Sequence, residues 1–286
     1  MRYRQQVART SKLFRVLTRR GPHRVLRGDL AFAGLPGVVY TPEAGFNLPG
    51  VVFGHDWLTG VDRYRGLLEH LASWGIVAAA PDTERSLAPS VLTLAADLDT
   101  ALDIATGVRL GPGRISVHRG KLGVVGHGFG GSAAVFAAAQ MATAPKAVAA
   151  IFPAVTAPPA EQAVAALAGV AGLVLGAPDA ATALRSNTVP LASAWDTATL
   201  RVIGKASPAG LAERRRLTGF FGLPQSDRRT QRRVRALLTG FLLAELAGDK
   251  TYRDFTDPAA QLPGTEPAET LLKPVTAEDK IVALLK

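Results

Sequence analysis

Short apolar runs alternate with amphipathic stretches along most of the chain. Residues 49–57, 75–80, 121–125, 147–152, 170–175 and 200–203 are brief and largely free of charge, the pattern of strands covered on both faces. Residues 28–40 read as a β-hairpin with a loose turn. Between the runs lie stretches with helical spacing, at 61–73, 90–108, 132–142 and 230–247. In the second of these, Leu92, Leu94, Ala95, Leu98, Leu102 and Ala105 mark the buried side. Strands alternating with helices predict an α/β fold, a mainly parallel sheet with helices on both faces. No internal repeat is visible.

The run at 121–125 enters a turn dense in glycine, Gly126-His127-Gly128-Phe129-Gly130-Gly131, before an alanine-rich helix. A sharp strand-to-helix turn of this kind holds its central residue in a sparsely populated backbone conformation, costing about 1–3 kcal/mol for an ordinary side chain. Glycine has no Cβ and adopts it freely, so Gly128 suits the turn at least as well as serine would. His55 and Asp56 follow the strand run at 49–57, and Asp179 follows the run at 170–175. These residues, with His127, end up near strand C-terminal ends, where an open α/β sheet binds ligands. No pair of them has the close spacing of metal ligands, and neither metal nor cofactor is expected.

Composition narrows the picture. The 286 residues are 48% hydrophobic and 20% charged, which suits one globular domain with end segments. The expected division is 1–28 as a basic amphipathic extension, 29–256 as the domain and 257–286 as a proline-rich tail. The absence of cysteine excludes disulfides and thiolate catalysis and favours a reducing, cytoplasmic setting. No transmembrane span and no signal peptide are expected. Residues 1–28 carry nine basic and no acidic side chains, with Val7, Leu13, Phe14 and Leu17 near one helical face. That stripe serves either packing on the chain's own domain or peripheral docking on an anionic membrane, at its inner face. Residues 214–235 form a second basic region, read as a solvated face or as a second contact with an anionic membrane, and 276–285 a terminal helix. The net charge of +10 suits an anionic partner, but the basic residues lack the interleaved aromatics of a nucleic-acid surface.

Several segments together resemble a known family. Val51-Val-Phe-Gly-His-Asp-Trp57, Leu71-Ala-Ser-Trp-Gly-Ile-Val77 with Pro81-Asp-Thr83, Leu122-Gly-Val-Val-Gly-His-Gly-Phe-Gly-Gly131 and Gly248-Asp-Lys-Thr-Tyr-Arg-Asp-Phe255 occur in the right order. Residues 29–256 thereby resemble the dienelactone hydrolase-like branch of the α/β-hydrolases, near bacterial cutinases and polyester hydrolases. The resemblance implies an α/β-hydrolase fold and a Ser–Asp–His triad in that chain order. Asp179 matches the acid, in Gly176-Ala-Pro-Asp179, but Gly128 stands at the nucleophile and Pro208, in Gly204-Lys-Ala-Ser-Pro208, at the histidine. The five histidines are His23, His55, His70, His118 and His127, so none follows the elbow to serve as the base. The resemblance further implies an oxyanion hole from the backbone N–H groups of Trp57 and Phe129, and a pocket bordered by His55, Asp56 and His127. Asp56 replaces a glycine usual in the family.

The expected protein is a catalytically inactive α/β-hydrolase homologue that binds an acyl or lipid ligand or a protein partner, in the context of cell-envelope lipid metabolism. The alternative is a carboxylic-ester hydrolase of non-triad mechanism, using Asp179, His127 or Asp56.

Overall fold

Period-two alternation in the central strands feeds two separate apolar layers. The computed structural model describes residues 2–213 and 226–272. Its strands are β1 (Val25–Asp29), β2 (Gly37–Pro42), β3 (Gly45–Gly54), β4 (Val77–Pro81), β5 (Ile115–His127), β6 (Ala147–Ile151), β7 (Ala171–Gly176), β8 (Ala198–Ile203) and β9 (Thr265–Glu266). Val51 and Phe53 of β3, Ala78 and Ala80 of β4, and Ala147, Ala149 and Ile151 of β6 enter one layer. Val52, Val77, Ala79, Val148 and Ala150 enter the other. Cβ atoms point to opposite faces at successive residues, so uninterrupted apolar runs serve both layers at once.

The first layer is covered by α1 (Arg2–Leu17), α2 (Arg65–Ser73) and α6 (Arg228–Glu245). The second is covered by α3 (Val91–Gly107), α4 (Phe129–Gln140) and, through Leu191, α5 (Thr188–Ala194). A short α7 (Glu269–Leu272) follows β9. The nine strands lie in the order β1-β2-β4-β3-β5-β6-β7-β8-β9. Pairing is parallel from β4 through β3 and β5 to β8, and antiparallel at β1–β2, β2–β4 and β8–β9. This is an α/β fold with a mostly parallel sheet, consistent with an α/β-hydrolase-like class.

The sequence-based expectations locate the central strands within a few residues and differ at particular ends. β5 begins at Ile115, because a bulged stretch of pairing lets Gly45 and Leu48 of β3 reach Ile115 and Val117. α4 begins at Phe129, three residues before the expected 132, so Gly130 and Gly131 are helical and buried. Helix 90–108 is met closely by α3, whose N-cap Ser90 accepts from the N–H of Thr93. β9 pairs only two residues with β8, too short to leave a periodic pattern.

The apolar stripe of α1 faces inward. Phe14 and Leu17 belong to the first layer, and Leu13 packs against it. Gln6 Nε2 and Thr10 Oγ1 both donate to the Asp254 carboxylate. Arg9, Lys12, Arg15 and Arg19 remain exposed, so α1 offers solvent a basic face while its apolar face is used internally. In the second basic region, Arg214–Arg216 and residues up to 225 lie outside the described residues, as does the terminal helix expected at 276–285. On α6, Arg228, Arg229 and Arg232 are exposed, whereas Arg233 donates to the Gly204 carbonyl and Arg235 pairs with Glu213 at 3.0 Å. Among the described residues no helix is long and apolar enough to cross a membrane.

The layer of α1, α2 and α6 closes over His70. Burial, with the nearby Arg235 charge adding, lowers its pKa from 6.5 to about 4 against the opposing pull of the Leu17 backbone. The unfolded imidazole takes up its proton near pH 6.5 and the folded one only near pH 4. Stability from this site is therefore complete above 6.5 and lost progressively as the pH falls toward 4. The loss amounts to roughly 3 kcal/mol. Urea unfolding across that window should show this slope in the wild type and not in His70→Gln; equal slopes would refute the assignment.

Candidate functional site

Three glycines let the chain build a tight junction at the C-terminal ends of β3 and β5. Gly54 and Gly126 are paired across these strands, and the first turn of α4 lies directly on them. A Cβ on Gly126 would come within 1.9 Å of the Gly130 carbonyl oxygen, and one on Gly130 within 2.3 Å of the Gly54 carbonyl carbon. Only bare backbone permits this approach. It brings the N-terminus of α4 against the turn that follows β3.

Gly128 forms the apex, at φ 55° and ψ −118°. This is the strained elbow conformation anticipated from the strand–glycine–helix pattern, with the central residue lacking a side chain. The vacated space is filled from another turn. A Cβ built on Gly128 would stand 2.1 Å from Asp56 Oδ1 and 2.3 Å from Asp56 Cγ. Asp56 Oδ1 accepts hydrogen bonds from the backbone N–H of Trp57 at 2.8 Å and of Phe129 at 2.9 Å. These are the two N–H groups expected to form an oxyanion hole. In this chain both donate to the protein's own carboxylate, which also caps α4 where Gly128 has nothing to offer.

Behind the carboxylate lies a short polar chain. The Asp56 N–H donates to the Tyr64 hydroxyl at 3.2 Å, and that hydroxyl lies 2.7 Å from His127 Nδ1. Burial pushes the Tyr64 phenol well above its usual range, with the Asp56 charge adding, so it keeps its proton. Its acceptor for that proton is Nδ1, which leaves the neutral His127 ring with its hydrogen on Nε2. Burial lowers the His127 pKa, opposed by Asp56 and by the Pro208 backbone. Nε2 is buried and makes no well-formed hydrogen bond. The ring is held edge-on between Tyr64 and Phe152, at centroid distances of 5.6 and 6.0 Å.

A cavity of about 860 Å³ opens over this floor. Asp56, Trp57, His127, Gly128, Phe129, Asp179 and Pro208 all line it, so the structure gathers the expected acid, nucleophile and histidine positions in one cleft. Asp179 is exposed after β7; its carbonyl accepts from Thr182 and Ala183, and among the described residues its carboxylate has no partner. Pro208 opens a short 3₁₀ turn after β8. Its ring can neither accept nor donate a proton.

His55 is corrected from pocket residue to brace. It is fully buried, absent from the cavity wall, and its ring nitrogens lie 3.0 and 2.8 Å from the carbonyl oxygens of Asp56 and Thr83. Ser132 is also buried, its hydroxyl donating to the Ala154 carbonyl at 2.5 Å, which ties it up as packing rather than chemistry. Among the described residues no group of three His, Asp or Glu side chains is placed to hold a metal ion.

The mouth of the cavity was not anticipated. Leu87, Leu184, Val155 and Trp57 line it while exposed to 80, 68, 56 and 42%. Four large apolar side chains left in water around one opening mark a surface suited to an apolar ligand. No periodic signal reveals them, since they sit on loops from distant parts of the chain.

No protein-family model matches the chain, and no curated protein matches it. The likeness to hydrolases therefore rests on the motif residues and the fold.

Asp56 and Gly128 compete for one volume, which sets a measurable coupling. Gly128→Ser alone should destabilise the protein by about 1–3 kcal/mol through overpacking. Asp56→Gly alone should cost about 1 kcal/mol through the lost cap. The double variant should cost clearly less than the sum, and strict additivity in a denaturation cycle would show that the two sites do not share space.

Proposed function

We propose that this chain is a non-catalytic α/β-hydrolase-fold protein whose cleft binds an apolar, acyl-type chain. The observation that carries the reading is the Asp56 carboxylate lodged beside Gly128, its Oδ1 on the N–H groups of Trp57 and Phe129. Acyl transfer needs a nucleophile, a base to take its proton, and N–H donors aimed at the oxygen that becomes negative. Here the nucleophile position is glycine, the histidine position is proline, and the donors are engaged. Preorganised donors of this kind are commonly the largest catalytic contribution, and removing one costs about 10²–10³ in kcat. The apolar side chains at the mouth and the cavity volume support retention of a binding role.

The competing reading is an ester hydrolase that uses Asp56, His127 or Asp179. Asp56 is poorly set for nucleophilic attack, since Oδ1 already accepts two hydrogen bonds and its attack would leave the new oxyanion without those donors. His127 is buried, its Nδ1 on the Tyr64 hydroxyl and its Nε2 closed off from the cavity, so neither nitrogen meets a substrate. Asp179 lacks a histidine to orient.

Purified protein and its Asp179→Ala variant should both hydrolyse p-nitrophenyl esters, from acetyl to decanoyl, at the rate of buffer alone. A clear rate abolished by Asp179→Ala would replace this reading with the hydrolytic one.

A further inference from the structure

A second recess lies across one wall of the cavity. Lys205, Arg228, Arg229, Arg232 and Arg233 line an open hollow of about 610 Å³ at the start of α6, with Asp227 as the one carboxylate among its described lining residues. That carboxylate is spent as the helix cap, accepting from the N–H groups of Arg229 and Thr230 and from the Thr230 hydroxyl. Arg233 is held on the Gly204 carbonyl. Lys205, Arg228, Arg229 and Arg232 are exposed and form no ion pair with any described residue, the nearby Glu266 over Gly204 included. The positive potential of the hollow therefore comes from side chains, not from the helix end that Asp227 already caps.

Recess and cavity share the segment 205–210 as a wall. Pro208 and Ala209 face the cavity, and Lys205 of the recess precedes Pro208 by a stretch of chain that spans at most about 11 Å. The first turn of α6 is tied to the same segment: the Ser207 N–H donates to Thr230 Oγ1 at 3.3 Å, and the Asp227 N–H to the Gly210 carbonyl at 2.9 Å. Ser207 and Pro208 are exposed, so the crest of the wall is open to a ligand passing over it. The two sides of that wall accept different chemistry. Within the cavity, Asp56 Oδ1 holds the Trp57 and Phe129 N–H groups, and the Asp56 and Asp179 carboxylates both line the surface, which disfavours an anionic head group there. Beyond the wall, the guanidinium forks of Arg228, Arg229 and Arg232 suit phosphate oxygens. Resting on the reading that the cavity takes an apolar chain, we infer that the ligand is an anionic amphiphile bound tail first, its chain in the cavity and a phosphate head group across the wall on Lys205, Arg228, Arg229 and Arg232.

Calorimetric titration of the intact protein at neutral pH and low salt, with decyl phosphate, decanol and inorganic phosphate, tests the inference, both amphiphiles being kept monomeric. Decyl phosphate should bind about tenfold or more tighter than decanol, and the gap should close by about 0.5 M NaCl as the cations are screened. The triple variant Arg228→Gln/Arg229→Gln/Arg232→Gln, changed only at exposed positions, should bring the two ligands to within about threefold of each other. Equal affinities in the wild type would overturn the head-group assignment while leaving the chain-binding cavity in place. So would a phosphate preference that survives the triple variant and is lost in Arg185→Gln, at the cavity's own edge. A gain of about tenfold for decyl phosphate in Asp56→Asn would put the head group at the floor and overturn the orientation. Inorganic phosphate binding as tightly as decyl phosphate would overturn a joint site for head and chain. Binding of neither decanol nor decyl phosphate would overturn the cavity reading itself. The wild-type comparison and its salt dependence decide the matter even where a variant fails to fold.

Discussion

One carboxylate oxygen joins the two halves of the site. Asp56 Oδ1 accepts from Trp57 in its own turn and from Phe129 in another, across the space a side chain at position 128 would need. The bond fixes the turn after β3 to the first residue of α4, and through α4 to the layer it shares with α3. Both bonds are charge-assisted and made at a helix N-terminus, where the exposed N–H groups and the helix dipole favour a negative partner. Without a residue at 56 able to reach that N-terminus, a glycine at the apex would leave α4 uncapped.

Asp56 and Gly128 are consequently one feature rather than two substitutions. Glycine at 128 opens the volume; aspartate at 56 fills it and satisfies the N–H donors of Trp57 and Phe129. A side chain cannot be placed at residue 128 alone, because its Cβ would overlap the carboxylate. The approach of Gly54, Gly126 and Gly130 is a separate demand, made by the packing of α4 on the strand ends regardless of chemistry. The turn therefore owes its backbone geometry to packing.

Much of this was legible from the chain. Apolar runs at 147–152 and 170–175 are readable as strands because both their faces are buried, and the family resemblance, with the strand ends, points Asp179 and Pro208 toward the cleft they both line. The carboxylate's seat was not legible. Asp56 was expected at the cleft's edge, yet only the three-dimensional meeting of two turns some seventy residues apart puts it beside Gly128. His55 was misjudged for a related reason: its neighbours in sequence line the cleft, but the turn directs its ring inward to two backbone carbonyls. The two faces of α1 were visible as a stripe, while what covers the stripe depended on a partner layer far along the chain.

The apolar mouth bears on why such a cleft would persist. A cleft with no ligand to bind gains stability by filling with side chains, since buried apolar surface is worth about 25 cal/mol per Å² and voids forfeit packing. This cleft is instead still open at about 860 Å³ and keeps leucines facing water at its rim. Exposed apolar surface carries a cost in the unliganded protein, and an apolar chain that covers it relieves that cost. A small polar molecule would leave that rim wet, which is why the shape of the mouth favours the apolar chain proposed above.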